Sequence, residues 1–174
     1  MEKTLIVING QGRSGKDTVC KIMAKYYKVK NISTVDPIKE IATFAGWQGQ
    51  KDDKSRKMLA DLKQVFIAYN DLPLNFVLKE AQKFLLDDNQ IMFVHCRESE
   101  EIEKIVKNSP VNVITLLIKR NDKFFERKVF GNHADDDVET YAYDYIYSGN
   151  NENTEQLEKS FMQFFETQIK PNLK

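Results

Sequence analysis

The 174-residue chain holds only two cysteines, Cys20 and Cys96. Two thiols make no disulfide framework, and these two lack metal-ligand spacing. Both fall in or beside apolar runs, so buried, reduced thiols are expected. No apolar run approaches the roughly 20 residues that span a bilayer. The first strand begins almost at once, which leaves no room for a secretion signal. A cytoplasmic protein without membrane contact is therefore expected. An excess of one charge sign is missing too: 26 acidic and 26 basic side chains cancel. No global basic field attracts nucleic acid, although a local basic pocket remains open. Repeats, low-complexity tracts and linkers are absent, so residues 1–174 read as one domain, long enough for a real core.

What is present gathers in one stretch. The apolar run Leu5-Ile6-Val7-Ile8-Asn9 ends in Gly10-Gln11-Gly12-Arg13-Ser14-Gly15-Lys16-Asp17-Thr18. A strand, a glycine-rich loop and a helix start build a phosphate cradle. Glycines let backbone N–H groups turn inward, and the helix N-terminus and Lys16 add positive charge. The spacing fits two patterns. Gly10, Gly15 and Lys16 fit G-x-x-x-x-G-K, the triphosphate loop. Gly10, Gly12 and Gly15 fit G-x-G-x-x-G, the dinucleotide fingerprint, with Asp36 about 20 residues further on. Lys16 favours the triphosphate loop, because a dinucleotide loop wants a small residue there for close helix–strand packing. Asp17 stands where Ser or Thr is usual, and Thr18 comes one residue late. Thr18 would offer its hydroxyl to Mg²⁺, and Asp17 would hold magnesium-bound water. Each also suits a helix N-terminus, so the choice stays open.

The rest of the chain alternates strands and helices. Apolar runs predict strands over 4–9, 32–35, 91–96, 111–118 and 143–147. Periodicity predicts helices over about 16–27, 37–46, 55–69, 74–87, 99–107, 122–129 and 154–168. The third of these carries Met58, Leu59, Leu62, Val65, Phe66 and Tyr69 on one side, and Asn70-Asp71-Leu72-Pro73 breaks it. Such alternation predicts an α/β fold, a parallel sheet covered on both faces. Ligands bind beyond the carboxyl ends of such strands. Those ends carry Gly10 to Lys16, Asp36, Arg97-Glu98 and Lys119-Arg120, so charge gathers where the fold rule places a site.

Each charged group has an ordinary reading beside the chemical one. Asp36 suits a helix N-cap before Pro37, or would orient a substrate hydroxyl or a hydrated metal. Arg97 is placed for bidentate contact with a phosphate, or for a structural salt bridge. Arg56 stands with Lys54 and Lys57, which a solvated helix face would explain. Arg120 and Arg127, seven apart, would reach transferring phosphates from a closing lid, or lie on the surface with Lys128. His133 among Asp135, Asp136 and Asp137 reads as a solvated turn rather than a metal cluster. Trp47 reads as packing at a helix end rather than as a base-stacking platform.

Gly15-Lys16-Asp17-Thr18 resembles the loop of small P-loop kinases that phosphorylate monophosphates, whose common form is Gly-Lys-Gly-Thr. The Asp version is similar to deoxynucleoside monophosphate kinases of phages and bacteria, and to animal-type phosphomevalonate kinase. Asp36-Pro37-Ile38-Lys39 resembles the segment after strand two in the former group. The resemblance implies a three-layer α/β/α fold with a five-stranded parallel sheet. It also implies a helical acceptor-binding insertion over about 37–88 and a short lid over about 128–138. ATP with Mg²⁺ would sit on Gly10, Gly12, Arg13, Ser14, Gly15, Lys16, Asp17 and Thr18, with the metal at Thr18 or Asp17. Arg56 resembles the acceptor-helix arginine and Arg97 the arginine after strand three; with Asp36 and Lys39 they would hold a phosphorylated small molecule. Phe124-Phe125-Glu126-Arg127 is similar to the segment leading into the lid, so Arg127, with Lys16, Arg97 and Arg120, would serve transfer. Tyr145 to Asn150 resembles the last strand and the loop near the adenine. A monomer or homodimer is expected. Two rivals stand: a kinase for another acceptor, such as phosphomevalonate or dephospho-coenzyme A, and an ATP-binding regulatory protein that transfers nothing.

Overall fold

The computed structural model describes residues 2–120, 138, 140–149 and 153–173. In chain order the elements are β1 (Thr4–Asn9), α1 (Lys16–Met23), β2 (Val29–Ser33), α2 (Asp36–Phe44), α3 (Asp53–Asn70) and α4 (Leu72–Leu86). Then come β3 (Ile91–His95), α5 (Ser99–Asn108), β4 (Asn112–Arg120), β5 (Tyr145–Gly149) and α6 (Thr154–Phe164). The last helix widens into a π-turn over Phe165–Ile169 and a short 3₁₀ turn over Lys170–Asn172. The helix expected over 122–129, Arg127, His133 and all of the lid but Val138 lie outside the described residues.

The five strands form one sheet in the order β2-β3-β1-β4-β5, and every pairing is parallel. β1 lies between β3 and β4, so all six of its residues are buried. Side chains alternate across a strand, which sends them to two cores. Ile6, Ile8, Phe93 and Leu116 meet Val19 and Met23 of α1 and Phe161 of α6. Leu5, Val7, Met92 and Val94 meet Val77, Ala81 and Phe84 of α4 and Ile102 of α5. The result is the expected α/β/α layering. Among the described residues no helix is long and apolar enough to cross a membrane. Both cysteines are buried and free.

Several boundaries differ from those expected. β2 lies at Val29–Ser33 rather than 32–35, because its register follows Ile91–His95. It is an edge strand and only half-buried, so its apolar content is a poor guide to its limits. β5 begins at Tyr145 rather than 143. Asp144 stops short of the ladder and accepts from the Thr115 N–H and hydroxyl, both at 2.8 Å. α1 ends at Met23, and tighter turns carry the chain to Tyr26. The break at Asn70–Pro73 is as expected, with Asp71 left-handed at φ 51° between α3 and α4. α3 departs most. Its buried residues are Ser55 and Lys63, while Met58, Val65 and Tyr69 of its apolar side stay exposed.

Candidate active site

The loop after β1 is shaped by two glycines and one strained residue. Gly10 adopts φ 151°, and a Cβ there would run into the Ile118 carbonyl oxygen and come within 2.6 Å of Ser14 Oγ. Gly15 adopts φ 102° at the N-cap of α1, where no side chain among the described residues caps the helix. Arg13 is left-handed at φ 63°, a conformation that costs a non-glycine residue on the order of 1–3 kcal/mol. Such strain persists where the surroundings impose it, commonly at ligand clamps. Lys16 opens α1 and folds back, donating to the Gly10 carbonyl and to the Gln11 carbonyl at 2.9 Å. A cavity of about 190 Å³ results, lined by Arg13, Ser14, Gly15, Lys16, Asp17 and Thr18. Ser14 Oγ is buried there without a hydrogen-bond partner among the described residues. An uncapped helix start, an orphaned hydroxyl and an ammonium round one hollow fit an anion such as a phosphate chain. Asp17 and Thr18 line the same hollow with oxygen ligands of the kind Mg²⁺ accepts.

A second cleft, of about 530 Å³, opens between α2 and α4. Asp36, Lys39, Glu40 and Thr43 line it from α2, and Phe76 from α4. The four α2 residues follow the i, i+3, i+4, i+7 spacing that puts them on one helical face. Asp36 is not the N-cap, which is Val35. Asp36 is the first helical residue, and its carboxylate reaches back to accept from the Ser33 N–H at 2.7 Å and lies 3.4 Å from Lys39 Nζ. The sequence marks Asp36 and Lys39 as candidates, and both line this cleft; Glu40, Thr43 and Phe76 line it without such a mark. Their signal would have been the α2 periodicity continued past Lys39.

Arg56, Arg97 and Arg120 are exposed and line neither cavity. Arg56 lies 3.3 Å from Asp53, one turn earlier on α3. Arg97 follows β3 and Cys96, and Arg120 ends β4 beside Gly149. Gly12 lies in the loop, half-buried.

Two further groups escaped the sequence reading. His95 ends β3 between the loop and α2. Its Nε2 lies 2.9 Å from Asn31 Oδ1 and 3.8 Å from Cys20 Sγ. Burial lowers its pKa; Asp17 and Asp36 push it up, and Lys16 and Lys39 push it down. Burial also pushes the Cys20 thiol up to about 12, so it stays protonated. The second group is a buried ion cluster. Lys63 of α3 reaches Glu98 at 2.7 Å and Glu101 at 2.9 Å, and the Cys96 thiol donates to Glu101 at 3.2 Å. Burial works against the charge on Lys63, but the two carboxylates outweigh it and raise its pKa. Burial raises Glu101, while Lys63 outweighs burial at Glu98 and lowers it. Cys96, Glu98 and Glu101 are close enough to hold a metal ion, but the Lys63 ammonium already pairs with both carboxylates.

Solved structures share this architecture at low identity. A sugar kinase from Janibacter sp. HTCC2649 is 12% identical, with TM-score 0.53, covering 97% of this chain and 96% of its own. A putative kinase from Chloroflexus aurantiacus is 14% identical, with TM-score 0.50 and coverage of 95% and 97%. TT1252 from Thermus thermophilus is 13% identical, with TM-score 0.50 and coverage of 96% and 99%. No curated protein matches the chain. These likenesses define the fold class, that of the P-loop kinases. The family model for deoxynucleotide monophosphate kinase matches residues 4–173, and the chain belongs to that family. It is a kinase-like enzyme, a phosphotransferase that uses a nucleotide.

Proposed function

We propose that the protein transfers the γ-phosphoryl group of ATP to a nucleoside or deoxynucleoside monophosphate. One observation carries the reading: a phosphate-sized hollow at the end of β1 and a nucleoside-sized cleft at the end of β2 lie along the same carboxyl edge of the sheet. Family membership narrows the acceptor towards deoxynucleotides. The loop N–H groups would cradle the donor phosphates. Lys16 would leave the Gly10 and Gln11 carbonyls for the β- and γ-phosphates. Thr18 or Asp17 would hold Mg²⁺, which when bound neutralises charge on the donor phosphates. Asp36 and Lys39 would orient the acceptor, and Arg56 and Arg97 would turn inward to clasp its phosphate. An acceptor phosphate oxygen forms the new bond to the γ-phosphorus as the bond to ADP breaks. Arg120 and Arg127 would stabilise the spread charge. The attacking oxygen is already ionised, so no strong general base is needed, and catalysis is positioning plus electrostatics.

We further read residues 1–174 as one kinase domain acting on small molecules in the cytoplasm, as a monomer or homodimer. Two free buried thiols support a reducing compartment. The test is a panel of monophosphates with ATP and Mg²⁺, read as ADP release. Turnover of phosphomevalonate or dephospho-coenzyme A instead would reassign the acceptor. Tight ATP binding with no turnover would make the protein a nucleotide-binding regulator. Arg97→Ala should raise the acceptor KM or lower kcat by about 10²-fold, as expected when a charged phosphate ligand is lost. Unchanged constants would remove Arg97 from the site.

A further inference from the structure

β1 reads Thr-Leu-Ile-Val-Ile until its last residue, where a fully buried asparagine takes an interior place. Asn is depleted in strands, and a buried amide costs free energy unless its hydrogen bonds are made. Asn9 makes them to separate parts of the chain. Its Oδ1 accepts from the Gly10 N–H at 2.7 Å. Its Nδ2 donates to the Arg97 carbonyl at 3.1 Å and to the Tyr143 hydroxyl at 2.7 Å. Tyr143 in turn donates to the Val138 carbonyl at 2.9 Å. The amide can sit only this way round, because the Gly10 N–H can only donate and the Arg97 carbonyl can only accept. Asn9 lines neither cavity.

We propose that Asn9 is a positioning residue. It holds the first glycine of the donor loop and the backbone of Arg97 at a fixed separation, with Tyr143 as its anchor. The inference rests on the reading of Arg97 as an acceptor ligand. Phosphoryl transfer depends almost wholly on alignment, and a displacement of about 1 Å can cost about 10²-fold. A side chain bonded to both substrate-facing segments therefore acts on transfer more than on binding either substrate alone.

The test compares wild type, Asn9→Asp and Tyr143→Phe with ATP and a monophosphate that wild type turns over. Aspartate keeps the size and the acceptor for Gly10 but sets an oxygen against the Arg97 carbonyl. Phenylalanine removes one hydroxyl and keeps the ring packed edge-on to Tyr141 at 5.0 Å. Asn9→Asp should lower kcat at least about tenfold and raise the acceptor KM, while the ATP Kd moves less than about threefold. Tyr143→Phe should move the same constants in the same direction by less, about threefold. The double variant should be no worse than Asn9→Asp, because the hydroxyl acts through the amide. Melting curves check that each variant folds; if Asn9→Asp does not, Tyr143→Phe decides. Variants that fold and keep both constants within about twofold of wild type overturn the inference alone. Failure of wild type to turn over any monophosphate overturns the reading of the acceptor site and this inference with it.

Discussion

Gly10 shows how narrow the residue scale is. Its φ of 151° favours glycine, and its Cβ position is filled by the Ile118 carbonyl, which is backbone and cannot move aside. Gly10→Ala should destabilise the protein by about 1–3 kcal/mol, the cost of overpacking a fixed site, read from urea or thermal unfolding. Lys63 is the opposite case, a buried charge held by two carboxylates. Lys63→Met leaves Glu98 and Glu101 uncompensated and should cost about 3–5 kcal/mol. Adding Glu101→Gln should restore part of this. The pH dependence has a definite sign. Lys63 is raised, so its contribution is full below about pH 10.4 and is lost as pH rises through the folded value. Glu98 is lowered, so its contribution is present above about pH 4.3 and is lost as pH falls through the folded value. Glu101 is raised by burial and offsets part of this gain at neutral pH. In Lys63→Met both acids lose their cation and favour the protonated form. The stability gap between wild type and variant should therefore be widest near neutrality and narrow as pH falls through the carboxylate range.

At the scale of elements, ends and faces differ in how they are encoded. α6 begins with a reciprocal capping box: Asn153 accepts from the Gln156 N–H at 2.9 Å, and the Gln156 side chain accepts from the Asn153 N–H at 3.3 Å. Asn153→Ala should cost about 1 kcal/mol, measured as a fall in melting temperature with no change in turnover. α3 shows the limit of pattern. Its apolar residues fall on one side by spacing, yet Met58, Val65 and Tyr69 are exposed and Lys63 is buried. Periodicity reports that a helix is amphipathic but not which way it faces; here Lys63 faces Glu98, which precedes α5, and Glu101 within it. The same reason hid the cluster: Lys63 and Glu101 are 38 residues apart. β2 is the harder strand to place from sequence because, among the described residues, only one of its sides has a partner strand.

The whole molecule places the two hollows. The order β2-β3-β1-β4-β5 sets the glycine loop after β1 and Asp36 after β2 on either side of β3, with His95 between them. If this edge binds ATP, the bound nucleotide should stabilise the whole fold. At about 100 times its Kd the gain is about 2.7 kcal/mol, a rise in melting temperature of roughly 5–10 °C. Lys16→Ala should lose most of that shift while melting close to wild type without nucleotide. A full ATP-induced shift in the variant would remove Lys16 from the donor site.

The sequence by itself determined the alternation of strands and helices, the parallel sheet, the glycine loop with Lys16, and the placing of Asp36 and Lys39 just beyond β2. These are local: apolar runs, turn glycines and charges at strand ends are written in consecutive positions. The tertiary structure decided what distant segments do to one another. It set Lys63 of α3 against Glu98 and Glu101, opened a cleft between α2 and α4 with Phe76 on its wall, and gave Asn9 partners at Arg97 and Tyr143. Those features rest on contacts between residues far apart in sequence, and only chain topology brings such residues together.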